Sequence, residues 1–383
     1  MRKLSIGIMG TRGIPNHYGG FEQFAEYLSE GLQLKGHEVY VYSTSQHRYQ
    51  SDNWKGVHII HMNGQDKLGT IGQFLYDLSC INDARKRNFD ILLHLGYTSD
   101  SIWHWRWPEK TVNILNVDGM EWKRDKYNKL SRRFLKWAES LAAKHAKALV
   151  ADSLKMQEHF QENYGKPATF IPYGADTFTE IQQSVLSKYK LHPRQYFMLI
   201  ARMEPENNIE MIIRGYMKSN HSYPLLVVGN ISNNYGNRLF RTYHHPNIVF
   251  TGPLYNQSDL SNLRYFSARY FHGHSVGGTN PSLLEAMACS CNIVAHENVF
   301  NRDVLEDDAD YFSSEEQVCK LIMEPVNRSL AEERIASNLH RIETIYSKAK
   351  IVEGYEKLML SMSNNHVVLV KPPILDQPDN FST

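Results

Sequence analysis

Short apolar runs alternate with stretches of helical period along most of the chain. LSIGIMG (4–10) leads into a loop, TRGIPNHYGG (11–20), and then into Phe21, Phe24, Ala25, Leu28 and Leu32. Those five positions share one face of a helix, so the pattern predicts strand, loop, helix. Gly36 ends that helix, and EVYVYST (38–44) reads as the next strand. VHIIHM (57–62), DILLHLG (90–96), TVNILNVDG (111–119) and KALVADS (147–153) continue the series. The turn-rich segment FIPYGADTF (170–178) interrupts it. A second series then runs through YFMLIAR (196–202), PLLVVGN (224–230), NIVFTGPL (247–254), ARYFHGH (268–274) and NIVAHEN (292–298).

Strands separated by helices imply mostly parallel sheets covered on both faces. The expected fold class is therefore α/β, with two doubly wound Rossmann-like domains facing a cleft. The expected boundaries are 1–175 for the first domain and 190–345 for the second. A C-terminal helix at 346–362 is expected to return to the first domain, and a tail at 364–383 to be loosely held. Ligands of open parallel sheets sit beyond the carboxyl ends of the strands, so the informative residues should lie just after strands.

Composition narrows the field. With 383 residues the chain exceeds one ordinary core. Apolar residues at 42% and charged residues at 22% mark a globular protein. The 42 basic residues balance 41 acidic ones, which argues against a general nucleic-acid binder. Cys80, Cys289, Cys291 and Cys319 form no CxxC pair. With MRKLSIGIMG read as a first strand and not a signal peptide, a reducing cytoplasm is expected. No apolar window has the roughly eighteen residues that a membrane span needs.

The stretch HGHSVGGTNPSLLEAMA (272–288) carries the first candidate chemistry. Thr279 or Asn280 suits a helix N-cap and Pro281 the first helical position. Gly277 and Gly278 permit a backbone path that side chains would block. Unpaired amides at a helix start can hold a phosphate without any lysine. Glu285 is the single carboxylate among apolar neighbours. It is either a solvated residue on an amphipathic helix or a carboxylate that meets sugar hydroxyls. His272 and His274 lack a carboxylate cluster, read as packing residues, and imply no metal.

GGTNPSLLEAMA resembles the nucleotide-sugar loop and helix of the retaining glycosyltransferase family 4, whose fold is GT-B. That family carries two glutamates eight residues apart. Glu285 matches the second, which the resemblance assigns to the nucleotide ribose, whereas Gly277 stands at the first. ARMEPENNIE (201–210) resembles the family's R-x-x-x-x-K-N segment. Arg202 matches the diphosphate-binding arginine, and Asn207 replaces the lysine. IPYGADTF is similar to the interdomain segment. In GIPNHYGGFE (13–22), Gly19 and Gly20 match the glycines facing the donor phosphates. GTRGIPxxYGGFE, NVDGxEWKR and HSVGGTNPSLLEAM together resemble a bacterial subgroup that includes rhamnosyltransferases of cell-wall and capsular polysaccharide synthesis. The resemblance covers roughly residues 4–360.

It implies a nucleotide-sugar donor, best dTDP-rhamnose, and a lipid-linked saccharide acceptor, with no metal or other cofactor. Such a transfer must stabilise charge on a departing diphosphate. Arg202 is the candidate clamp, helped by the amides near Gly19–Gly20 and Gly278–Asn280. Arg12, in the loop after the first strand, is a stand-in for the missing lysine. Asp118, in NVDGMEWKR (116–124), either orients the acceptor hydroxyl or caps the next helix. Alternatives remain open: a UDP- or GDP-hexose transferase, a sugar-nucleotide epimerase, or a non-catalytic homologue. A Rossmann oxidoreductase is disfavoured, because GTRGIPNHYGG is not GxGxxG and no acidic residue ends EVYVYST.

One helix has a different chemistry. Residues 122–147 carry nine lysines and arginines against Asp125 and Glu139. Tyr127, Leu130, Phe134, Trp137 and Leu141 make an apolar stripe, and Lys126, Lys129, Arg133 and Lys136 a basic one beside it. Such a helix either docks on an anionic membrane, here the cytoplasmic face, or packs with a solvated basic side. WHWRW (103–107) supplies interfacial anchors or core aromatics.

Overall fold

The structure, a computed structural model, describes residues 2–17, 19–64, 69–117, 119–123 and 127–364. Asp118, Lys126 and the tail beyond Asn364 lie outside the described residues. The first sheet contains β1 (Ser5–Met9), β2 (Glu38–Thr44), β3 (Asn53–Trp54), β4 (Val57–Met62), β5 (Ile91–Leu95), β6 (Val112–Val117), β7 (Ala148–Ala151) and β8 (Ala168–Phe170). Their order is β3-β4-β2-β1-β5-β6-β7-β8, parallel throughout except for β3 against β4. The second sheet contains β9 (Phe197–Ile200), β10 (Leu225–Val228), β11 (Ile248–Gly252), β12 (Arg269–His272), β13 (Ile293–His296) and β14 (Asp310–Phe312). Its order is β11-β10-β9-β12-β13-β14, all parallel.

Every strand that the apolar pattern predicts is present. Three further strands, β3, β8 and β14, are two or three residues long. A segment that short shows no period.

The helix predicted after β1 spans Gly20–Leu34 and buries Phe24, Ala25, Leu28 and Leu32 against the first sheet. The last helix, Lys348–Ser363, lies on this same domain. Its Glu356 sits 2.8 Å from Lys35 Nζ and 3.2 Å from His37 Nε2, and its Tyr355 hydroxyl accepts from Asn116 Nδ2 at 2.7 Å. One continuous core runs from the inner face of the first sheet through Ile171, Tyr173, Ala175 and Tyr346 into the second domain.

Helix Lys129–His145 is fixed by one carboxylate. Glu139 is fully buried and accepts from Tyr97 Oη at 3.2 Å, Trp122 Nε1 at 3.0 Å, His159 Nε2 at 2.7 Å and Tyr164 Oη at 2.7 Å. Burial opposes its ionisation, but these donors outweigh burial and hold its pKa below the usual carboxylate value. Removing it strands several polar groups in a dry site. Glu139→Ala should lower the unfolding free energy by about 3–5 kcal/mol in urea titrations, and Glu139→Gln by less. A depressed folded-state pKa gives stability that is present above the usual carboxylate range and lost as pH falls through the folded value. The gap between wild type and Glu139→Gln should therefore shrink in acid.

Candidate active site

The carboxyl ends of the two sheets face one another, and the loop after β12 fills the contact. This loop is stitched to its own domain first. Ser275 donates from its backbone and its hydroxyl to the Glu206 carbonyl, at 3.1 and 2.7 Å, and Asn208 Nδ2 donates to the Gly273 carbonyl at 2.8 Å. The segment after β9 that carries Arg202 is thereby held beside it. Arg202 is exposed, and its guanidinium pairs with no carboxylate among the described residues. Asn207 differs from expectation. It is buried, and its amide is spent on the Arg202 carbonyl at 2.7 Å, so it shapes the arginine's loop and does not face the cleft.

The loop then meets two strand ends and one helix start of the first domain. Gly277 has φ of 134°, a conformation open to glycine, and its Cα lies 3.2 Å from the position a Cβ on Gly119 would take. A Cβ on Gly278 would overlap the carboxylate of Asp152, the residue after β7. The hydroxyl of Thr279, itself buried, donates to the Asp152 carbonyl. Asn280 caps helix Pro281–Ala288 by accepting from Ser282 N at 2.9 Å. Pro281 stands opposite Gly20, with 3.7 Å from its Cγ to a Cβ built there. Gly19 is the N-cap of helix Gly20–Leu34. The structure thus brings Gly20, Gly277, Gly278, Thr279 and Asn280 together.

Glu285 meets donors from both domains. It accepts from Gln23 Nε2 of the first domain at 2.7 Å and forms an ion pair with buried Arg264. Of its two readings from sequence, the solvated one does not hold. Arg12 lies half-buried, and its backbone amide donates to Glu22 Oε1 at 2.9 Å. His272 is buried and stacked on His274 at 4.4 Å, and burial drives its pKa well below the usual value. Among the described residues, no three histidine, cysteine, aspartate or glutamate side chains gather as metal ligands.

Sequence reasoning missed Gln23, Arg264 and Asp152. The first two carry no local signal. Asp152 does, because it directly follows the strand KALVADS, the same rule that selects Asp118. It is 2% exposed, and its Oδ1 has no hydrogen-bond partner. Burial pushes its pKa up to about 7, with Ser153 and the backbone amides of Asp152 and Thr279 pulling it back.

On helix Lys129–His145 the core takes Leu135, Ala138, Ala142 and Ala143. The apolar stripe points outward: Leu130 is 76% and Trp137 50% exposed. Aromatic contacts link Trp137 to Phe134, and Phe134 to Phe74 of helix Thr70–Ala84. Trp103 donates to the Phe74 carbonyl and touches exposed Trp105, whereas Trp107 is buried. Lys129 and Arg133 are exposed. Lys136 is also exposed and lies 4.1 Å from the centre of the Trp122 ring. No described helix is long and apolar enough to cross a membrane.

Comparison with known proteins places this geometry. Residues 3–176 match a family described as a domain of unknown function (DUF1972). No curated protein matches the chain in sequence. Solved structures do match it nearly end to end. A glycosyltransferase from Rickettsia africae ESF-5 has a TM-score of 0.72 at 16% identity, over 95% of this chain and 100% of that one. Sucrose-phosphate synthase from Thermosynechococcus elongatus gives 0.77 at 13%, over 94% and 99%. HepE from Anabaena, in complex with UDP and glucose, gives 0.73 at 14%, over 94% and 100%. The fold is therefore GT-B, the two Rossmann-like domains of these glycosyltransferase structures.

Asp152 has a stability signature. Its folded pKa of about 7 exceeds the ordinary 3.8. Between those values the folded chain keeps a proton that the unfolded chain releases, so stability falls as pH rises from about 4 to about 7. Asp152→Asn lacks this loss. It should gain on wild type by up to about 4 kcal/mol between pH 4 and pH 8 in paired urea titrations. A difference that does not change with pH would contradict the assignment.

Proposed function

We propose that this protein is a glycosyltransferase that moves a sugar from a nucleotide-sugar donor to a lipid-linked saccharide, with retention of configuration. The donor of choice is dTDP-rhamnose. The observation that carries the reading is the closure of the lysine-free loop 277–280 on the first domain, beside an exposed arginine that pairs with no carboxylate among the described residues. That arrangement offers what a departing diphosphate needs: amides at a helix start and an exposed guanidinium from Arg202. Glu285, held by Gln23 and Arg264, is the residue that the motif resemblance assigns to the nucleotide ribose. Asp118 orients the acceptor hydroxyl. The HepE complexes with UDP and UDP-glucose favour a nucleotide-sugar as the donor class. The specific sugar rests on the three motif resemblances.

The exposed stripe of Leu130, Phe134 and Trp137, edged by Lys129 and Arg133, supports docking on an anionic membrane. Docking of this kind would bring the cleft near a lipid-linked acceptor at the cytoplasmic face.

Two experiments test the proposal. In the first, dTDP-rhamnose, UDP-glucose, UDP-GlcNAc and GDP-mannose are offered with a lipid-pyrophosphate-GlcNAc acceptor. Transfer is expected from dTDP-rhamnose, with Arg202→Ala slower by at least about 100-fold. Transfer from another donor would replace the sugar assignment, and the absence of any transfer would remove the reading. The second is flotation with phosphatidylglycerol and phosphatidylcholine vesicles. Wild type should float with the anionic vesicles, and the triple variant Leu130→Ser, Phe134→Ser, Trp137→Ser should lose at least about tenfold in partitioning. Equal flotation of the two proteins would end the docking assignment.

A further inference from the structure

Arg264 is a costly residue to keep inside a protein. It lies in the last turn of helix Gln257–Tyr265 and is 1% exposed, and its Nε and Nη1 have no hydrogen-bond partner among the described residues. The contacts fall on Nη2, which pairs with Glu285 Oε2 and lies 3.5 Å from Ser282 Oγ. A buried ion pair with unsatisfied donors gives no advantage in stability over apolar side chains of like volume. What it does give is direction. The arginine's surroundings are fixed, because its carbonyl accepts from Ser267 Oγ at 2.8 Å and from Cys291 Sγ at 3.3 Å, and Ser282 Oγ is tied to Tyr270 Oη at 2.8 Å.

Glu285 is the partner that needs fixing. Its side chain is 16% exposed at the seam between the domains. The terminal torsion of a glutamate is soft, so a carboxylate held at no point presents its oxygens over a wide arc. A carboxylate offers about four acceptor positions. Arg264 takes one on Oε2 and Gln23 one on Oε1, which leaves a position on each oxygen for a ligand.

We infer that Arg264 is the positioning residue for nucleotide recognition: by holding Oε2 from within the second domain it fixes the plane of the Glu285 carboxylate, and the remaining acceptor positions then meet the hydroxyls of the nucleotide's sugar ring. The inference rests on the nucleotide-sugar reading above and adds to it the group that makes Glu285 directional. Arg264 itself touches no ligand, since it is sealed from solvent. A planar guanidinium suits this task better than an ammonium, which is a point charge on a flexible stem.

Calorimetric titration of the full chain tests this with two pairs of probes, UDP against 2′,3′-dideoxyuridine diphosphate and dTDP against 2′,3′-dideoxythymidine diphosphate. Within each pair the affinity ratio isolates the sugar hydroxyls. Wild type is expected to favour the hydroxyl-bearing member of at least one pair by about tenfold or more, and Glu285→Gln to lose that preference. Arg264→Met should cut the ratio to below about threefold while the dideoxy nucleotide binds as before. In the Glu285→Gln background the same change should alter the ratio no further. Circular dichroism checks each fold. Where Arg264→Met does not fold, Arg264→Lys decides, because it keeps the charge and loses the planar fork, and its ratio should fall by at least about threefold. An unchanged ratio in the folded variants, or an equal loss for both members of a pair, would make Arg264 a structural strut and overturn the inference. A wild type that binds both members of each pair equally would instead overturn the ribose assignment of Glu285, and one that binds no probe would overturn the nucleotide reading.

Discussion

How near one stretch of backbone can come to a foreign domain decides the form of this cleft. Residues 277–278 approach the first domain closely enough that Gly119 meets Gly277 main chain to main chain, and Gly278 meets a carboxylate. A Cβ at residue 119 would press on Gly277 and one at residue 278 would overlap the Asp152 carboxylate, so that proximity depends on glycine at both positions. The remaining arrangement follows from it. Helix Pro281–Ala288 starts at the seam, its first residue Pro281 faces Gly20, and Glu285 comes within reach of Gln23.

The two carboxylates of the cleft are set in opposite ways. Glu285 has a cation, Arg264, on its own domain and an amide donor from the other. Asp152 has no cation beside it among the described residues; burial pushes its pKa up, and the Thr279 amide of the other domain pulls it only part of the way back. Arg202, by contrast, stands on an exposed loop, and its guanidinium pairs with no carboxylate among the described residues.

Much of this was legible from pattern alone. Alternation of apolar runs and helical periods gave the strands from LSIGIMG to NIVAHEN, because each is long enough to express a period. ATF in β8 and DYF in β14 are too short, and the acids before Asp310 mask the latter. Local chemistry was also readable: Asn280 as cap, Pro281 after it, and glycine at the positive φ of residue 277. What was not readable depends on contacts between distant segments. No sequence window shows that Arg264 and Gln23 converge on Glu285, or that Asp152 fills the space beside Gly278. The stripe on helix Lys129–His145 has the same origin. Its period shows which residues share a face, but only packing shows that Leu135, Ala138, Ala142 and Ala143 are the buried side and that Leu130 and Trp137 face out.

The last helix has a consequence for how the protein is made. Residues 348–363 complete the surface of the first domain through Glu356, Tyr355 and Val352, although the second domain lies between them in sequence. During synthesis the first domain therefore leaves the ribosome with Lys35, His37 and Asn116 still lacking these partners. It stays unfinished until almost the whole chain has emerged. The chain also crosses between the domains twice, near residues 175 and 346, so two tethers join them. A double tether permits the cleft to open and shut like a hinge and resists twisting of one domain against the other.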